Sequence, residues 1–387
     1  MRIPSSEKPY ENYYVHYQRG GKQVRTSTQC RPSKYIRECL AFYQNPKLDI
    51  PSSLLPIMLS YILALCLNLC LVLAASRTTA PSGALVVSKA PAKGQYSKIQ
   101  DAVNALSTSS TTAQSIFIEA GTYSEQVYIA PRKAALTIYG YSENTADYAH
   151  NVVTITQKLS QNEVATNDLT ATLRAWSTNF KLYNVNVVNS YGSGKQALAL
   201  NAAAANQGYY ACKFIGFQDT ILAQTGTQLY AKSYIEGATD FIFGQHGLAW
   251  FTGCDIRVLS ASLGYITASG RASSEAGYYV LDHCSIAAKS GATVAKGAYY
   301  LGRPWGAYAR VAVQSSTISE VINAAGWHIW NTGDERTDHV TFGEISNTGA
   351  GASGTRKFET ELSKAVAITD VLGSAYASAA YVDKTYL

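Results

Sequence analysis

The chain has 387 residues, 47% of them hydrophobic and 15% charged, and carries a formal charge of +6. The charge is uneven: residues 1–50 hold nine Lys/Arg against four Asp/Glu, and residues 76–387 hold 23 against 22, so the body carries only +1. A body so close to neutral gives nucleic-acid binding no electrostatic support.

Residues 1–57 read as a basic extension, disordered or non-native, with scattered Pro, Gln and Tyr and no apolar periodicity. From Ile50 to Ser76 no charged residue occurs, and residues 58–75 form an apolar run ending in small residues. The run is expected to be a secretory signal cleaved after Ala74 or Ala75, with Met58 as the biological start and an extracellular destination. A type II membrane anchor is the alternative, since the run is long enough to span a bilayer. Pro51, Pro56 and Asn68 weigh against it. After cleavage no stable membrane association is expected. Of the seven cysteines, Cys66 and Cys70 fall in this run, and the total implies no disulfide framework.

Residues 76–387 are expected to form one large β domain. Ser97-Lys98-Ile99-Gln100 reads as a capping box opening a short helix, with Ile99, Val103 and Leu106 on one face. That helix would cover the open end of a stack of strands. Strand candidates follow at Ile116–Ile118, Leu136–Tyr139, Val152–Ile155 and Leu198–Leu200.

A pattern of small or apolar residue, any residue, apolar residue then recurs. It begins at Val185, Cys212, Ser233, Cys254, Cys284 and Ser316, in steps of 27, 21, 21, 30 and 32 residues. Imperfect periods of this size fit a parallel β-solenoid, with loops of varying length between coils. Cys212, Cys254 and Cys284 would then be small core residues. A β-sandwich with a chance period is the alternative. After Ile318 the pattern loosens into Trp327-His328-Ile329-Trp330 and a Gly/Ser/Ala-rich tail, read as a wrap over the last coils.

On the solenoid reading Gln196, the pair Gln218-Asp219 and Asp240 form a column, because the aspartates lie 21 residues apart and the glutamines 22. Two carboxylates one coil apart, at roughly 5–6 Å and an effective dielectric near 20, repel by about 3 kcal/mol, or about two pKa units. Such a pair titrates as a unit, one member ionised and one protonated. That suits a nucleophile with a general acid, and the glutamine amides suit an oxyanion. A polar ladder holding the coils in register explains the same residues equally well. His246 is close enough to Phe243 to line a cleft, though a surface position suits it better. The six histidines lack zinc-ligand spacing, and no Gly-x-Ser-x-Gly elbow occurs.

Five ordered motifs add a resemblance to what spacing leaves open. Gly121-Thr-Tyr-Ser-Glu125, Gln196-Ala-Leu-Ala-Leu200, Gln218-Asp219-Thr220, Tyr234-Ile-Glu-Gly-Ala-Thr-Asp240-Phe-Ile-Phe-Gly244 and Leu301-Gly-Arg-Pro-Trp305 resemble those of pectin methylesterases (pectinesterases), most closely the fungal ones. The resemblance runs from about residue 78 to the C-terminus. It implies an all-β fold, a right-handed single-stranded parallel β-helix.

It also implies hydrolysis of the C6 methyl esters of polygalacturonate to carboxylates and methanol through an aspartyl acyl-enzyme. Asp240 would be the nucleophile, Asp219 the general acid and then base, Gln196 and Gln218 the oxyanion donors, and Arg303 the partner of Asp240. Phe243 and Trp305 would meet the sugars. No metal or organic cofactor is implied, the partner is methyl-esterified homogalacturonan, and a monomer is expected. The chain departs from the family at Ser269, where plant members commonly have Gln, and at Ile345, where an aromatic residue is usual. Arg271 stays open between a substrate cation and a structural arginine. A pectin lyase or polygalacturonase on the same fold would need a different set of groups, and a non-catalytic pectin-binding protein would not need all five catalytic positions.

Overall fold

Every turn of the chain lays down up to three short strands joined by corners, and equivalent strands of successive turns pair in parallel. The computed structural model describes residues 75–387, together with a two-residue antiparallel pair, Gln18–Arg19 with Lys22–Gln23. Apart from that pair, the basic extension and nearly all of the signal-like run lie outside the described residues.

Three sheets result. The first has eleven strands from Leu85–Val87 to Glu359–Glu361, the second eight from Gly121–Ser124 to Thr317–Ile318, and the third seven from Val127–Ile129 to Tyr299–Gly302. The architecture is a right-handed parallel β-helix, as the resemblance implies.

The sequence period is the register of the second sheet. Val187, Phe214, Ile235, Ile256, Ile286 and Ile318, each two residues after a ladder position, pair in unbroken succession. Tyr123 and Ile155 extend the column by two earlier coils that the pattern did not reach. Corners keep the coils aligned at constant cost in residues: Asn184, Ala211, Lys232, Gly253, His283, Ser315 and Ser346 all turn from first to second sheet with positive φ. Cys212, Cys254 and Cys284 are buried and unpaired, and burial raises the Cys212 thiol to about 12. They are small core residues.

Inside the helix, like side chains stack. Tyr209, Tyr230 and Phe251 lie face to face at 4.8 and 4.4 Å between centroids, one coil apart. The buried hydroxyls of Tyr209 and Tyr230 donate to Gln207 and Gln228, both at 2.8 Å, so that no polar group in the stack is left unpaired.

Two expectations need correction. Helix α1, Ile99–Ala105, forms with Ile99 and Val103 buried, but no side-chain capping box opens it. Its first amides, of Ile99 and Gln100, donate instead to the two carboxylate oxygens of Glu125, both at 2.9 Å. The cap therefore comes from the strand-end motif 26 residues on. Glu125→Ala is expected to lower stability by about 0.5–2 kcal/mol, the range for a lost cap, measurable by denaturant unfolding.

The C-terminal segment is the second. Trp327 enters the core and stacks on Phe342 at 4.3 Å. Two more strands, Thr341–Ile345 and Glu359–Glu361, then extend the first sheet. Ile345 belongs to that ladder, paired with Gln314. Beyond them a short helix, Ile368–Leu372, and the last residues run back along the outside of the first sheet. There Tyr139, Tyr183 and Tyr210 form an outward stack at 5.3 and 4.9 Å. Tyr386 packs on it, and Asp383 accepts from the Tyr183 hydroxyl at 3.0 Å. The tail covers a sheet face, where a wrap over the last coils was expected.

Candidate active site

Where the second sheet gives way to the third, two aspartates occupy the corner of successive coils. Gln218 bridges Thr239 in parallel, and the Asp219 amide donates to Thr239 O at 3.1 Å, which puts Asp219 one coil from Asp240. Gln196 stands one coil the other way, where the Ala197 amide donates to Gln218 O at 3.2 Å. Both aspartates have positive φ, 65° and 50°, a conformation that Asp tolerates better than most residues. At Asp240 the register with the next coil also slips by one residue between Thr239 and Ile242. A bulge of this kind re-aims a side chain out of the alternating pattern of a strand.

The corner opens into a cleft of about 230 Å³. All seven residues singled out from the sequence line it: Gln196, Gln218, Asp219 and Asp240 on one side, with Arg303, Phe243 and Trp305. Its apolar floor continues through Ala171, Leu198, Leu222 and Ala268. Gly270 is required there, because a Cβ would overlap the Trp305 ring.

Arg303 comes from two coils away and binds Asp240 in a fork, Nε to Oδ1 at 2.9 Å and Nη2 to Oδ2 at 2.7 Å. Its Nη1 donates to Trp330 O at 3.2 Å. The guanidinium lies between two rings, 4.1 Å from the centroid of Tyr265 and 4.3 Å from that of Trp330. Planar, bidentate and packed against two rings, it is held on Asp240. Trp330 is pinned in turn: Arg336 donates to Trp305 O and stacks on Trp330 at 5.1 Å.

The two aspartates are each 6% exposed as whole residues, and their carboxyls are electrostatically unequal. Burial drives Asp219 well above the usual carboxylate range, the Asp240 charge pushes it further, and Arg303 relieves this only in part. Burial also raises Asp240, but the hydrogen bonds and charge of Arg303 oppose the rise. Asp219 therefore holds its proton to higher pH than Asp240 does. Among the described residues, the side-chain amides of Gln196 and Gln218 have no hydrogen-bond partner, and neither has the Asp219 carboxyl.

Sequence reasoning missed Asn167, Trp330 and Ala268 in the lining, and Tyr265 beneath Arg303. Trp330 was legible only as part of an aromatic-rich run, and Asn167 carried no signal. Arg271 proves structural: its guanidinium clamps a loop through the carbonyls of Glu275 and Tyr308. Ser269 accepts from the Arg310 amide at 3.2 Å and is not among the cleft residues. His246 pairs with Glu275 at 2.8 Å and is half exposed, a surface position.

Two electrostatically unequal buried carboxyls beside two unpartnered amides, in a cleft on the flank of a parallel β-helix, fit a hydrolytic enzyme of the β-helix class. The family model described as pectinesterase matches residues 84–384. A pectinesterase of Aspergillus aculeatus is 52% identical over 334 residues, 85% of this chain and 100% of the relative. The crystal structure of a deglycosylated pectin methylesterase from Aspergillus niger superposes with a TM-score of 0.75 at 43% identity, covering 81% of this chain and 100% of that one. The carrot pectin methylesterase does so with a TM-score of 0.69 at 28% identity, covering 80% and 98%. The chain belongs to the pectinesterase family and is a carboxylic ester hydrolase of the fungal type.

Proposed function

We propose that the enzyme cleaves the C6 methyl esters of polygalacturonate through a covalent aspartyl intermediate, and that it acts outside the cell on pectin in plant walls. The arrangement that carries this reading is the unequal aspartate pair: one ionised carboxylate held by Arg303 and, one coil away, one carboxyl that keeps its proton.

An Asp240 oxygen attacks the ester carbonyl, and the C=O electrons move onto oxygen. The amides of Gln196 and Gln218, free of other partners, donate to that oxyanion. As the tetrahedral centre collapses, the C–O bond to methanol breaks and Asp219 gives its proton to the leaving oxygen. Asp219, now a carboxylate, takes a proton from water. The hydroxide equivalent attacks the Asp240 acyl group, which frees the galacturonate carboxyl and restores both aspartates. One water is consumed and one methanol released per ester. Phe243 and Trp305, with rings 6.1 Å apart and tilted by 54°, offer faces for the sugars.

Methanol release from highly methylated pectin by protein begun at residue 76 tests the activity. Release without new reducing ends or unsaturated uronides is expected, and the appearance of either product in place of methanol would favour a polygalacturonase or a lyase. Gln218→Ala is expected to remove roughly 2.7–4 kcal/mol of transition-state stabilisation, seen mainly in kcat. A loss below twofold would take Gln218 out of the oxyanion site.

A further inference from the structure

We propose that the outer face of the third sheet carries a distal carbohydrate subsite centred on Trp176, three coils from Asp240, which holds another unit of the polymer whose ester is cleaved. The proposal rests on the ester-hydrolase reading of the cleft and extends the same surface.

Two lines of side chains leave the cleft along the helix axis; in the first, Phe243, Leu222 and Asn201 point away from the core but are themselves buried. The first is set by register: Phe243 pairs with Leu222, Leu222 with Asn201, and Asn201 with Arg174. The second lies two residues further along each strand and runs through Gln245, Gln224, Ala203 and Trp176. Backbone bonds keep these coils aligned: His246 N to Gln224 O at 2.8 Å, Gln224 N to Ala202 O at 3.0 Å, and Ala203 N to Ala175 O at 2.9 Å. Trp305 stands at one end of the path and Trp176 at the other. Between them the second line offers small and amide groups, with Gln224 Nε2 donating to Gln245 Oε1 at 3.1 Å. Three coil spacings of ~4.8 Å put Trp176 about 14 Å from the Asp240 coil, within the reach of a short oligosaccharide.

Trp176 is 39% exposed, an unusual placement for an indole. It is nevertheless fixed. Its Nε1 donates to Asp168 Oδ1 at 2.9 Å. Asp168 also receives Arg174 (Nε at 3.1 Å) and Asn201 (Nδ2 at 2.6 Å). Asp168 lies in the short helix α2, Asn167–Thr170, whose first residue lines the cleft. The cleft and the indole are thus tied to one element. With its N–H occupied, the indole has only its ring left to offer, which suits the apolar face of a pyranose. The Arg174–Asp168 pair leaves the patch without net charge, so stacking selects the unit held there.

The test compares a methyl-esterified trimer with a decamer, and adds calorimetric binding of the fully de-esterified decamer. Trp176→Ala is expected to weaken decamer binding about three- to tenfold and to raise KM for the esterified decamer by the same factor. kcat, and KM for the trimer, should not move. Trp176→Tyr should recover most of the loss, and Gln224→Ala should show a smaller loss of the same length-dependent kind. Equal effects on trimer and decamer, or none on either, overturn the subsite. Wild-type protein that releases no methanol from either oligomer sinks the esterase reading, and calorimetry still decides the subsite in that case.

Discussion

Asp240→Asn is expected to lower kcat by roughly four orders of magnitude or more, as removal of a nucleophile does in other acyl-transfer enzymes. The asparagine amide is too weak a nucleophile to attack the ester, yet its oxygen still accepts from Arg303, so the fold should survive. Asp240→Ala removes the same chemistry and adds a second defect. It strands a guanidinium that is 15% exposed between Tyr265 and Trp330, and breaking a buried pair from one side costs about 3–5 kcal/mol. The two variants should therefore be equally inactive in methanol release but far apart in thermal unfolding. Replacing Arg303 by Met in the Asp240→Ala background should restore much of the stability and none of the activity. Near-normal turnover by Asp240→Asn would remove Asp240 from the nucleophile's place.

The coil and the aspartate column were legible for one reason. Between Cys212 and Cys254 each coil takes 21 residues, with no insertion in its corners. Spacing in sequence then equals stacking in space, and Asp219 falls beside Asp240 without further information. Arg303 lies 63 residues beyond Asp240. The loops around Leu259–Leu263, Gly270–Gly277 and Lys289–Ala298 break the period in between. No count of residues places that arginine, and only the motif Leu301–Trp305 did.

The misses have physical causes as well. Ser97–Gln100 has the local form of a capping box, but a carboxylate from another coil took both amides. Local patterns do not register long-range competitors. Nothing periodic announced that the C-terminus would return to cover the outward tyrosines at 139, 183 and 210. Tyr265 and Trp330 act on Arg303 through their ring faces, and aromatic residues at a strand position and in a loop carry no mark of that use.

Asp219 sets the sign of the pH response. Its carboxyl is held well above the usual range, first by burial and then by the Asp240 charge, so the native state binds a proton that the unfolded chain releases. Stability linked to this group is therefore greatest below the ordinary carboxylate pKa. It falls as pH rises toward the native value and is level beyond it. Activity should decline over the upper part of that window, because the leaving methanol loses its proton donor. On the acid side activity should fall as Asp240 becomes protonated. The two limbs report apparent values of the pair, not of either residue alone.

Asp219→Asn separates the two consequences. The amide is neutral at every pH and carries no ionisation penalty, so this variant should unfold at a higher temperature than wild type at neutral pH and match it more closely in acid. It should also lose about 10²–10⁴-fold in kcat, the contribution of a placed general acid, and the alkaline limb should vanish from what activity remains. A variant that is less stable at neutral pH, or that keeps the alkaline limb, would mean that Asp219 is ionised in the resting enzyme. Proton donation to methanol would then need another source.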